Sequence, residues 1–423
     1  MTYCITDFGA AADGVTVNTD AIRKAVETCA ANGGGRVLIP AGGVFLSGTI
    51  WLKSHVELYL EHGAVLKASG DFSDYNGDDA YPQNFGCDPE EWTGGHFIIA
   101  HECEDVAVCG SGTIDGNVRA FVSERDSVPE IAGKYGWFRG FLRAKRPGQC
   151  LAFIECRDVR AEDFTLRDTA SWGLFLHGCR HVHVRGLTIR NSPMMANSDG
   201  IDIDCCSHVT VSDCDIDTGD DAIAVRGSSK RLKDSGKVCE YVTISNCVLA
   251  SCADVFRIGV GCSEIRHLRV ANITAHRGHC LIDLCVEWSS VSKTPLYDLS
   301  FSNISGTGIM RPFRGLSGSG VNVRSVTYEN IRCDAMAESA FRTGITGSFR
   351  DFSFRNIDIM VRYDPELTER DRKARGDSVL CFDGVKEVFM DRVRVHMPEE
   401  AAPQWPSILD GGNSDIRTVN CAL

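Results

Sequence analysis

At 423 residues with a formal charge of −13, the chain is long enough for a large core, and its acidity disfavours nucleic acid or an anionic membrane as partner. No run of about 18 apolar residues occurs, so nothing reads as a membrane-spanning helix. The 20 cysteines are scattered through the chain, often in strand-like apolar contexts such as Cys179, Cys206 and Cys239, without matched Cys-x-x-Cys pairs. They read as reduced, buried, small apolar residues, and neither a zinc site nor any other metal or cofactor is expected.

Residues 1–9 lack a basic n-region and an apolar h-region, so no signal peptide is visible. A cytoplasmic location is expected, or secretion if a leader has been removed. Residues 4–14 read as a short strand and a turn. Asn18, Thr19 and Asp20 are expected to cap a helix over Ala21–Ala30, whose apolar positions follow a helical period, and Gly33, Gly34 and Gly35 to end it. Strand-like runs follow at 36–40, 44–52, 56–60 and 64–68.

Beyond Cys103 a repeat takes over. Segments of one pattern start at Cys156, Cys179, Cys206, Cys239, Ile265, Leu296, Val323 and Phe349, at steps of 23, 27, 33, 26, 31, 27 and 26 residues. Seven residues after each start stand Asp163, Gly186, Asp213, Asn246, Asn272, Asn303, Asn330 and Asn356. A turn residue fixed within a coil of variable length fits stacked rungs whose amides bond along the stack. The expectation is an all-β chain: a single-stranded right-handed parallel β-helix, one domain over 1–423, with an N-terminal cap over 1–35. Long loops are expected near 71–95, 117–149 and 362–376, and such loops are usually functional or disordered. Trp92, Tyr135 and Trp137 could wall a sugar-binding cleft or simply tack their loops to the body. β-Helix ends and edges are prone to association, so a homo-oligomer is also a partner to consider.

The stretch 197–226 concentrates carboxylates: Asp199, Asp202, Asp204, Asp213, Asp215, Asp217, Asp220 and Asp221. Any one of them is more often a turn residue than a catalyst. As a group they raise one another's pKa, a cost tolerated mainly where proton transfer or metal binding needs it. Asp199 and Asp220 are 21 residues apart, close to one coil, which places them on neighbouring rungs. Gly219 is expected to permit an unusual backbone angle that aims Asp220 and Asp221 at one groove. Three carboxyls on one face can divide into a protonated acid and ionised bases, as glycosidic hydrolysis requires.

Asn197-Ser198-Asp199-Gly200-Ile201-Asp202 resembles the Asn-Thr-Asp-Gly-x-Asp motif of the family 28 glycoside hydrolases, the polygalacturonases. Thr218-Gly219-Asp220-Asp221-Ala222 is similar to that family's Gly-Asp-Asp-Cys motif, at the family's spacing. The resemblance extends to 8–14, 110–116 and Arg146-Pro147, and so to about residues 4–360. It implies Asp220 as general acid, with Asp199 and Asp221 holding and deprotonating the attacking water, and inversion at the anomeric carbon. Two motifs depart. The family's Gly-His-Gly should fall just before Ile258-Gly259, but this chain has no His across 251–259; where the family has Arg-Ile-Lys, this chain has neither Arg nor Lys across 279–284. A site built to pair a carboxylate loses it strongly without those cations, which points to a neutral or differently charged sugar.

Around this core, Asn197, Asp202, Asp254, Arg257, Arg226, Trp172 and Glu287 are candidate substrate contacts. For each a plainer role competes: Arg226 neutralising the acidic cluster, Trp172 packing under a loop, Asp254 forming a turn, His177 a satisfied edge residue. Asp202 and Asp204 alternate with Ile201 and Ile203, so they should point outward, opposite the core. The leading expectation is an exo-acting glycosidase on plant-type oligosaccharides. A lyase or sugar epimerase on the same fold, with Ca²⁺ held by the Asp cluster, and a non-catalytic carbohydrate-binding β-helix are the alternatives.

Overall fold

The structure, a computed structural model, describes residues 1–124, 141, 142, 144–363, 376–402, 405 and 407–423. Tyr135, Trp137 and most of the 362–376 insertion lie outside the described residues. The chain divides into two compact units, one holding the described residues up to Asp220 together with 230–237, the other 221–229 and everything from 238 onward.

The first unit is a stack of parallel three-stranded coils. One ladder runs Thr2–Cys4, Gly35–Ile39, Val56–Leu60, Glu104–Gly110, Arg157–Glu162, Arg180–Arg185 and Ser207–Ser212. A second runs from Asp13–Val17 through Val44–Ser47, Val65–Ala68, Thr113–Asp115, Thr165–Arg167 and Thr188–Arg190 to Asp215–Thr218. The third takes Ile50–Trp51, Ile98–His101, Leu151–Ile154, Leu174–His177 and Ile201–Asp204. Helix α1 (Thr19–Ala31) covers the first coils with buried Ala21, Ile22, Ala25, Val26 and Cys29. Asn18 sits at its start but does not cap it. Its buried amide instead accepts from Ala11 N (2.7 Å) and donates to the carbonyls of Ala11, Thr16 and Leu46, tying two turns to a strand. Gly33 and Gly34 end the helix at positive φ, as expected.

In the second unit one ladder runs from Ile223–Gly227 through Asp254–Gly261, Gly278–Cys285, Ile309–Ser317, Ser339–Thr343 and Ser378–Asp383 to Ser407–Asp410. The other stacks Cys239–Ser251, Ile265–Ala275, Leu296–Gly306, Val323–Ala335, Phe349–Val361, Lys386–His396 and Ile416–Val419. Cα partners such as Ile265 with Leu296 and Val323 with Phe349 reproduce the register of the sequence repeat.

The turn seven residues into each coil is built as the repeat implied. Asn246, Asn272, Asn303, Asn330 and Asn356 all take φ between +53 and +58°. Each later amide donates from Nδ2 to the Oδ1 of the one before, at 3.1, 3.2, 3.1 and 2.9 Å. Asn tolerates the left-handed region better than most residues, and the ladder bonds offset what strain is left. At Gly186 the same turn has no room for a side chain, because a Cβ there would meet Asp163 Oδ1 at 2.4 Å. The coil starts Cys156, Cys179, Cys206, Cys239, Ile265, Leu296, Val323 and Phe349 are all buried. The thiols of Cys156, Cys179 and Cys206 donate to the carbonyls of Ala100, Phe153 and Leu176.

Candidate active site

In the first unit the carboxylates of Asp199 and Asp220 come together, each offering an oxygen within 4.8 Å of the other. Asp199 stands just ahead of strand Ile201–Asp204 and is 2% exposed, while Asp220 is half-buried. Asn197, held at φ +57°, donates its backbone N–H to Asp220 Oδ2 at 2.8 Å. Behind it the fully buried Arg146 donates from Nη2 to Asn197 Oδ1 at 3.0 Å. Asn197 therefore fixes the rotation of the Asp220 carboxyl. Ser198 Oγ donates to Met195 O and accepts from Gly219 N, pinning the two motifs together. Gly219 is required by close approach, since a Cβ would lie 2.3 Å from Met195 O and 2.4 Å from Ser192 O. Its φ is outside the left-handed region, contrary to the expected unusual angle.

Asp202 and Asp204 do alternate with the core, but they do not reach solvent, being 0% and 2% exposed. Asp202 ends an outer column with Trp51, Ile99, Ala152 and Phe175. Loop 71–95 covers that column through Tyr81, with Trp51 and Trp172 packed alongside. Trp172 lies between Trp92 (5.8 Å) and Phe175 (5.4 Å), and Trp92 is 4% exposed, so both aromatics tack the loop down. His177 is buried and stacked on Phe175.

The cover is built on His96. Its Nδ1 faces Gln149 O at 2.9 Å, and its Nε2 lies 2.8 Å from the Tyr81 hydroxyl and 3.0 Å from Asn84 Oδ1. Burial pushes its pKa from 6.5 down to about 4, so the ring is neutral in the folded state. A depressed folded pKa gives stability that is complete above the unfolded value and lost as pH falls through the folded one. Acidification from pH 6.5 to about 4 should thus withdraw up to about 3 kcal/mol from this loop's anchorage. Faster amide exchange in 71–95 across that window is the expected reading, and unchanged exchange would count against it.

In the second unit Asp221, 2% exposed, meets Arg257, whose Nε lies 2.5 Å from Asp221 Oδ2. Asp254, fully buried, pairs with Arg257 Nη2 at 2.9 Å and donates its backbone N–H to Asp221 Oδ1 at 3.2 Å. One coil on, Asp283 is the Cα partner of Arg257, and on the next coil Arg314 is the partner of Asp283. Arg314 grips Asp283 with Nε at 2.9 Å and Nη2 at 2.5 Å. Burial drives the Asp254 carboxyl well above its ordinary range. It acts on Asp283 too, but there Arg314 outweighs it and the carboxyl lies below its ordinary range. Burial opposes the charge of Arg257, yet Asp221 and Asp254 hold it well above its usual value. Arg226 is 8% exposed within strand Ile223–Gly227. Glu287 accepts from Ser317 Oγ and Ser319 N, both at 3.0 Å, and so clasps the following loop.

Two arginines stand one coil beyond 279–284. Arg314 and Arg311, on strand Ile309–Ser317, are set beside Asp283 and Cys280. Burial, then the charge of Arg314, pulls the Arg311 pKa down, and its buried Nε has no hydrogen-bond partner among the described residues. A search for one short motif could not find them, because rung stacking joins residues about 30 apart in sequence.

Among the described residues no helix is long and apolar enough to cross a membrane. Among solved structures, a hyperthermoactive exopolygalacturonase from Thermotoga maritima matches with a TM-score of 0.63 at 19% identity, over 100% of this chain and 91% of its own. The A-module of a mannuronan C-5 epimerase from Azotobacter vinelandii gives 0.58 at 13% identity, over 98% and 97%. At these identities the likeness is one of fold, the right-handed parallel β-helix, which serves more than one chemistry. In sequence, a probable polygalacturonase of Vitis vinifera is 31% identical over 231 residues, covering 52% of this chain. The match takes in 43% of that relative, so the chain spans less than half of its length. The profile of Glycosyl hydrolases family 28 matches residues 29–241, half of the chain and the part that carries both Asp motifs. With those motifs folded as described above, the chain belongs to glycosyl hydrolase family 28.

Proposed function

We propose that this chain is a glycosidase acting on a pectin-type glycan. Asp220 protonates the glycosidic oxygen as the C–O bond breaks, and the bonding pair leaves with that oxygen. Asp199 and Asp221, the latter the chain neighbour of Asp220, hold the water that attacks the anomeric carbon and take its proton. The observation that carries this reading is the Asp199–Asp220 pair within 4.8 Å, with the Asp220 carboxyl fixed by the Asn197 N–H. Inversion is inferred from the family resemblance, not from this spacing, which is shorter than the ~6.5–9.5 Å usual between inverting carboxyls. Exo action is supported by the cover that loop 71–95 lays over one face of the first unit.

A uronic substrate is favoured by Arg311, a half-buried side chain whose Nε is buried with no hydrogen-bond partner among the described residues. A neutral pectic sugar is the second reading, favoured by Asp283, whose carboxylate already occupies Arg314. The test is incubation with trigalacturonate and with neutral pectic oligosaccharides, following the first-formed anomer by proton NMR. Inverted monosaccharide from one of these substrates is the expected result. A retained anomer would refute inversion, internal cleavage would refute exo action, and a chelator-sensitive unsaturated product would replace the hydrolase with a lyase.

A further inference from the structure

We propose that Trp288 is a sugar-stacking platform, on whose outer face a pyranose ring of the glycan lies, beside the Arg257–Asp221 pair. This rests on the glycosidase reading above. Trp288 is 59% exposed, although large aromatics normally hide most of their surface. Its position is nevertheless fixed. The Arg257 guanidinium carbon lies 5.1 Å from the ring centroid, a cation–π contact that occupies one side of the indole. The same guanidinium holds Asp221 at 2.5 Å, so the indole is a guanidinium's width from a proposed catalytic carboxylate.

The loop carrying Trp288 is closed at its root and its tip. Thr294 N donates to Val286 O at 2.8 Å, and Ser292 N to Ser289 O at 3.1 Å. Glu287, the preceding residue, is clasped by Ser317 and Ser319. A rigid aromatic loses little conformational freedom on binding, which is what makes such a residue an effective anchor. A pyranose presents a face of C–H groups that matches an open indole, while its hydroxyls stay wetted at the rim. A flat apolar surface backed by a cation and set beside a carboxylate suits a carbohydrate better than an apolar peptide.

The test compares Trp288→Ala and Trp288→Phe with the parent protein on trigalacturonate. Binding is also read by tryptophan fluorescence titration in an Asp220→Asn background, where turnover does not interfere. The Ala variant should raise KM and the dissociation constant about tenfold with kcat within about twofold, and the Phe variant should keep most of the affinity. Unchanged binding in the Ala variant overturns the platform, as does a kcat loss at constant KM, which would mean that Trp288 acts only through Arg257. A loss of self-association without a change in KM would assign the indole to a second copy of this chain and also overturn it. If the parent binds the glycan but does not cleave it, the glycosidase reading fails alone, and the titration still decides the platform.

Discussion

Replacing Asp220 by asparagine is expected to lower kcat by about 10²–10⁴-fold, the usual worth of a positioned general acid, with KM within about threefold. Asparagine keeps an oxygen for the Asn197 N–H, which bonds Asp220 Oδ2 at 2.8 Å, and loses only the proton to be given. The role can be told apart from general damage by the leaving group. An aryl glycoside whose phenolate departs unaided needs no acid, so the Asp220→Asn variant should recover most of its rate on it. Asp199→Asn should not recover, because water activation is still required. Equal losses on both kinds of substrate would sink the assignment of Asp220 as acid.

The second large effect falls on Arg257. Arg257→Met removes the cation held between Asp221 (2.5 Å) and Asp254 (2.9 Å) and leaves buried carboxyls without their partner. Breaking a buried pair from one side typically costs about 3–5 kcal/mol, far more than the pair's net contribution to stability. A loss of unfolding free energy of that size is expected from urea unfolding, together with loss of activity. The cost should shrink as pH falls, since an orphaned carboxyl can escape its penalty by taking a proton, and Asp254 is already pushed toward the protonated form by burial. A loss below about 1 kcal/mol would mean that water reaches this network freely. Arg257→Lys should fall between the two, keeping the charge but not the two-sided fork.

The coil register was legible because it rests on residue types with few substitutes. A left-handed turn that must also bond its neighbours above and below selects Asn, and Asn246 through Asn356 announce it. A second left-handed turn, two residues into each coil, escaped notice. It falls at Asp158, His181, His208, Tyr241, His267, Asp298, Ser325 and Asp351, all at φ between +53 and +58°. No common chemistry marks them, so nothing in the sequence aligns them. The acidic site shows the same division. Asp199 and Asp220 were readable from short motifs, and the alternation of Asp202 with the core was correct. Asp202 is nonetheless fully buried, next to Phe175 in a column that loop 71–95 packs against through Tyr81, and the sequence does not say where a loop will lie. Arg314 was missed for the same reason: its partner Asp283 lies one rung away in space and 31 residues away in the chain. Asn18 misled differently, because a residue suited to capping was taken by three carbonyls that only the folded turns bring near.

The asparagine column behaves like the thread of a screw. The five coils from Cys239–Ser251 to Phe349–Val361 each engage their neighbours through the same amide, Asn246 to Asn356. Any coil bearing that thread can mate with any other, whatever the length of its remaining turns, which here add up to steps of 26, 31, 27 and 26 residues. A whole turn gained or lost by duplication or deletion would leave both flanking joints unaltered. Length thus becomes a property that can change in discrete steps, without touching the joints that the first unit makes for itself.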